Sequence, residues 1–146
     1  FLIIAANIYG RMLALSGVTQ YIGTWIGESG LGLYPLLAIY LFIVLLMGTI
    51  LDSSSILMII IPLVYPVMIT MGVDLVWFGI VTVIAVEVGL LTPPLGIAAY
   101  VVKSTLDDQD IGLNDVFAGA FPFVCIMILV LTLVVIFPQI SLYLIS

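Results

Sequence analysis

Gly89-Leu90-Leu91-Thr92-Pro93-Pro94-Leu95-Gly96 interrupts an apolar segment that is otherwise of membrane-crossing length. Pro93 and Pro94 have no amide hydrogen, so a helix carried through them leaves the carbonyls of Gly89 and Leu90 without their usual donors. In hydrocarbon such a carbonyl costs several kcal/mol, and non-helical backbone survives at that depth only where protein, water or a bound ion satisfies it. The stretch therefore predicts a broken helix at an ion or solute site, a device typical of secondary transporters. Its two halves are expected over residues 74–91 and 96–106. With Pro94 in the first turn of the second half, where a missing donor is harmless, a carbonyl-rich end faces an amide-rich end. Carbonyls favour a cation, and amides with the positive dipole end favour a carboxylate.

Composition supports a membrane setting. Hydrophobic residues make up 65% of the 146 positions and charged residues 7%, a balance that the surface of a soluble domain does not tolerate. Uncharged runs extend over residues 31–51, 53–73 and 116–146, each near or above the roughly 20 residues that span the hydrocarbon. Short alternating strands are absent from the pattern, which excludes a transmembrane barrel. The class expected is an all-α integral membrane bundle. Eight acids oppose only Arg11 and Lys103, for a formal charge of −6, which argues against nucleic acid or anionic lipid as partners. Cys125, alone in an apolar run and without any histidine in the chain, reads as a small hydrophobe. Phe1 opens inside an apolar segment with no basic flank or cleavage site. It is read as part of a longer polypeptide and not as a signal peptide.

Four units follow from the punctuation. Residues 1–32 form a first helix, kinked near Ser16-Gly17, and a turn. Residues 33–72 form a helical hairpin with a polar tip at 52–55, Asp52-Ser53-Ser54-Ser55. That tip is either an ordinary surface turn, with Asp52 or Ser53 as N-cap, or the end of a re-entrant hairpin whose free amides face an anion. Residues 73–106 form the broken span. Residues 107–146 hold an amphipathic connector over 111–120, capped near Asn114, and a last span that Pro122 opens and Pro138 breaks. Glu87, about one and a half turns before Pro93, is either a functional intramembrane acid or a group paired beside a solvated cavity. Pro62 and Pro66 are expected to bend the hairpin's second arm. Trp77, Tyr34, Tyr40, Tyr65 and Tyr100 are assigned to interface belts or to core packing.

Gly48-Thr49-Ile50-Leu51-Asp52, Pro62 with Pro66, Gly72-Val73-Asp74 with Trp77-Phe78-Gly79, the Thr92-Pro93-Pro94 break, Phe121-Pro122-Phe123 and Phe137-Pro138 occur in that order. Over about residues 33–146 the chain resembles the C-terminal part of the large membrane subunit of tripartite ATP-independent periplasmic (TRAP) transporters, of the ion transporter superfamily. The resemblance implies one half of an inverted-repeat elevator transporter, multi-pass in a bacterial inner membrane and coupled to a sodium ion. It implies a small membrane subunit, separate or fused, and a periplasmic binding protein that delivers a carboxylate-bearing solute. It places sodium on Gly48, Gly89, Thr92 and Leu95, mostly through main-chain carbonyls, and the solute at Asp52, Ser53 and Ser54. The chain departs from the family pattern at Ile97-Ala98-Ala99-Tyr100, where an asparagine is common, so the solute stays open. The alternative is a related sodium/anion symporter that works without a binding protein. An enzyme is not expected, since Asp52 and Asp74 lack the Gly-x-Gly-Asp context of an intramembrane aspartyl protease.

Overall fold

The computed structural model describes residues 2–28, 30, 32–93, 96–106 and 111–143. Among these there is no strand, and eight helices follow one another: α1 (Leu2–Leu15), α2 (Val18–Glu28), α3 (Leu33–Gly48), α4 (Ser53–Thr70), α5 (Leu75–Leu91), α6 (Ile97–Thr105), α7 (Leu113–Ile136) and α8 (Gln139–Leu142). α4 and α7 are long and apolar enough to cross a membrane, and α3 and α5 are shorter apolar helices. The outer face of α7 leaves Phe121, Phe123, Ile126, Leu129 and Leu133 exposed, which fits an apolar surrounding.

The breaks fall where backbone chemistry demands them. Gly17 takes the left-handed region at φ +75 and separates α1 from α2, the kink expected there. α4 ends at Gly72, φ +69, with Gly72 N–H donating to Ile69 O and Val73 N–H to Met68 O, the paired bonds of a Schellman motif. Asp74 then starts α5, its Oδ1 accepting from the amides of Val76 and Trp77 at 2.9 and 3.0 Å. Pro62 and Pro66 lie inside α4, and an added Cβ on Gly10 would come within 3.1 Å of the Pro62 Cβ, so α1 crosses the hairpin arm at that proline.

One expected boundary moves. Residues 113–136 form a single helix with Pro122 inside it, not a connector followed by a span that Pro122 opens. The cap is at Gly112, whose N–H donates to Asp115 Oδ2 at 2.7 Å. This bond fixes the first turn before the proline is reached, and one missing donor does not stop a helix packed along its length. At the other end Pro138 does terminate the span, after Phe137.

α5 is the centre of the bundle, packed against α3, α4, α6, α7 and α8, while α1 and α2 lean on α4. The core joins Leu37, Tyr40 and Val44 of α3, Ile56, Ile60 and Met68 of α4, Trp77, Phe78, Val81, Ala85 and Val86 of α5, and Leu131 and Val134 of α7. Two polar links cross it. The Tyr40 hydroxyl lies 2.8 Å from Thr82 Oγ1, which donates to Phe78 O at 2.8 Å, so Tyr40 is the donor of the pair. Trp77 Nε1 donates to Val134 O at 2.7 Å, the carbonyl whose helical partner would have been the absent amide hydrogen of Pro138. Trp77 and Tyr40 are thus core residues, whereas Tyr34, Tyr65 and Tyr100 are exposed.

Candidate functional site

α3 and α5 run parallel, because Tyr40, midway along α3, meets Phe78 and Thr82 in the first half of α5, and Gly48 meets Gly89 near their ends. Both glycines are buried. A Cβ placed on Gly48 would stand 2.8 Å from Gly89 Cα and 3.0 Å from Val86 O. One placed on Gly89 would stand 2.7 Å from Gly48 Cα and 2.8 Å from Leu45 O. Only glycine at both positions lets the two main chains touch. The contact brings together two helix C-termini, each equivalent to about −0.5 charge. Backbone chemistry offered the carbonyl end of α5 and the resemblance added Gly48; the fold brings the carbonyl ends of α3 and α5 into contact.

Thr92 closes α5 with extended backbone, φ −96 and ψ 135. Its N–H donates to Gly89 O at 3.0 Å and its Oγ1 donates to Val88 O at 2.6 Å. The Gly89 carbonyl is therefore not left without a donor, as the sequence suggested, because the last turn tightens to an i to i+3 bond. A carbonyl has two lone pairs, so one acceptor position remains. The Thr92 hydroxyl spends its proton on Val88 and likewise keeps acceptor lone pairs. Thr49, next to Gly48 and buried, does the same toward Leu46 O at 2.8 Å. The sequence reading had it only as a landmark, although a polar residue closing an apolar helix beside a glycine was a usable signal.

Gly48, Gly89 and Thr92 thus share one locality. Leu95, the fourth expected sodium ligand, lies outside the described residues, as does Pro94. Among the described residues no three His, Cys, Asp or Glu gather as a metal cluster, so a cation here would rest on neutral backbone and hydroxyl oxygens, a set suited to a hard monovalent ion.

Asp52 caps α4. Its Oδ2 accepts from the Ser55 amide at 3.0 Å and its Oδ1 from the Ser55 hydroxyl at 2.6 Å. Asp52 and Ser54 are exposed and Ser53 is half-buried. Beside this tip, Ile50 and the α6 residues Ile97, Tyr100, Val101 and Ser104 line a groove of about 520 Å³. Glu87 is exposed on the face it shares with Val83, away from the α3 contact.

The family model for the tripartite ATP-independent periplasmic transporter, DctM component, matches residues 1–140. The match reaches back over the first helices as well as the landmarks from residue 33 onward. The C4-dicarboxylate TRAP transporter large permease protein DctM of Rhodobacter capsulatus is 32% identical over 97% of this chain and 32% of its own length. The sialic acid large permease protein SiaM of Vibrio cholerae is 29% identical over 98% of this chain and 33% of its own. The isethionate permease protein DctMQ of Oleidesulfovibrio alaskensis is 29% identical over 94% of this chain and 21% of its own. The chain spans about a third or less of the length of these relatives. It belongs to the DctM family of TRAP transporters, a family of membrane permeases and not of enzymes.

Proposed function

We propose that this DctM-family chain is the cation- and solute-binding portion of a sodium-coupled large permease, which imports an organic anion that a periplasmic binding protein delivers. The observation that carries the reading is the convergence of the α3 and α5 C-termini at Gly48 and Gly89 with the Thr92 hydroxyl beside them. Two negative helix ends that meet favour a cation between them. A sodium ion would be held by main-chain oxygen at Gly48 and Gly89 and by Thr92 Oγ1, with Leu95 as the further ligand that the family pattern supplies.

The polar tip at Asp52, Ser53 and Ser54 is the proposed solute contact. It stands level with the break, since Gly48 just before it packs on Gly89 just before Thr92. α6 lies beside the tip, lining a groove with Ile50. A re-entrant hairpin whose tip meets the broken span at the ion site, and an elevator movement of this unit, are the reading proposed for this arrangement. Glu87 is proposed only as a cavity acid outside the ion site. A carboxylate on the solute agrees with relatives named for C4-dicarboxylates and sialic acid. The partners are a small membrane subunit, separate or fused, and the binding protein, in a bacterial inner membrane.

The test is uptake by the intact transporter in proteoliposomes with its binding protein present. An inward sodium gradient should drive accumulation. Equal uptake in sodium-free buffer under a pH gradient alone would remove sodium from the mechanism.

A further inference from the structure

We propose that α7 is a splint across the broken span and that Phe117 is a positioning residue for the cation site. The inference rests on the sodium site proposed above and concerns what holds it in shape. α5 ends at Leu91, with Thr92 extended after it, and α6 starts at Ile97. Their relative placement therefore depends on what packs across the gap. α7 is a continuous helix and packs against both halves.

It is pinned to each. Near its C-terminal end the Val134 carbonyl accepts the Trp77 indole N–H at 2.7 Å, in the first turn of α5. Near its N-terminal end the Phe117 ring lies on Gly96, the residue that starts α6. Gly96 is buried and left-handed at φ +39, and a Cβ there would stand 2.7 Å from Phe117 Cε1 and 3.1 Å from the Thr92 carbonyl oxygen. The Phe117 ring and the main chain of the proposed ligand Thr92 thus both border the face of Gly96 from which a Cβ would project. Removing the ring opens space there, so the start of α6 can shift relative to Thr92. The ligand set then loses its fixed spacing although no ligand has been changed.

The experiment measures sodium-dependent uptake by the intact transporter carrying Phe117→Ala, Phe117→Leu, Gly96→Ala and the Gly96→Ala/Phe117→Ala pair. Phe117→Ala should raise the sodium concentration for half-maximal uptake roughly three- to tenfold, as for residues coupled to a site through packing. Phe117→Leu, which keeps most of the volume, should restore much of it. Gly96→Ala meets the ring as well as a strained φ, so the double variant should be less impaired than the two single effects combined. If Phe117→Ala does not reach the membrane, Phe117→Val, which also removes the ring, should raise the sodium half-saturation in the same direction, and an unchanged value there would count against the splint. An unchanged sodium half-saturation with only less transporter or a lower maximal rate, or additive effects of the pair, would overturn the splint. Wild-type uptake indifferent to sodium would instead strike the underlying site.

Discussion

Gly48 and Gly89 bring the main chains of α3 and α5 into contact, and a methyl group added to either would lie 2.7–2.8 Å from the Cα of the other. No flexible side chain is available to yield, because the obstructing atoms are backbone.

Gly48→Ala and Gly89→Ala should each force the two helix ends apart. Overpacking of this kind costs about 1–3 kcal/mol, and the double variant should cost less than the sum, since the first methyl already opens the gap that the second needs. Thermal unfolding in detergent reads the stability. If the cation sits between these ends, the sodium requirement rises in parallel. Wild-type melting for either single variant would show that the contact is looser than described.

Thr92→Val keeps the side-chain shape and removes the hydroxyl, so it loses both the proposed ligand and the donor to Val88 O. Sodium half-saturation should rise by the equivalent of about 1–3 kcal/mol, while Thr92→Ser should stay near wild type. An unshifted Val variant would take Thr92 out of the site.

The Tyr40 and Thr82 hydroxyls form an asymmetric pair. Thr82 donates to Phe78 O and accepts from Tyr40. Tyr40→Phe leaves only an unused lone pair on Thr82, but Thr82→Val strands a buried phenol donor, which costs about 1–3 kcal/mol. Thr82→Val should therefore lower the unfolding midpoint by clearly more than Tyr40→Phe. The reverse order would mean that the proton lies elsewhere.

Trp77→Phe should be destabilising because it strands Val134 O, and Pro138→Ala should rescue it by returning an amide donor four residues on. The unfolding midpoint of the pair, set against each single variant, checks this. Absence of rescue would indicate that Trp77 contributes through packing alone.

Cysteines at Ser53 or Ser54 test the depth of the polar tip. A re-entrant tip should react with small hydrophilic thiol reagents through the transport cavity and be protected by sodium with solute. A surface turn stays wet and is labelled at the same rate with or without them.

The sequence alone determined the membrane class and nearly every helix end, because those depend on neighbouring residues. Proline removes a donor, glycine accepts a left-handed φ, and an aspartate reaches amides two or three positions ahead. Gly17, Gly72, Asp74 and Thr92-Pro93 all act where their local chemistry says they should. It also misjudged Pro122, which is tolerated inside α7 because packing along both half-helices outweighs one missing hydrogen bond. The resemblance grouped Gly48 with Gly89, but only the tertiary structure decided how closely the ends meet. Gly48 against Gly89, Phe117 against Gly96, and Trp77 beside the Val134 carbonyl 57 positions away follow no helical period. Each is set by which helices pack side by side and in which register, and the convergence of two carbonyl ends into one cation-favouring place exists only after α3 and α5 have aligned in parallel.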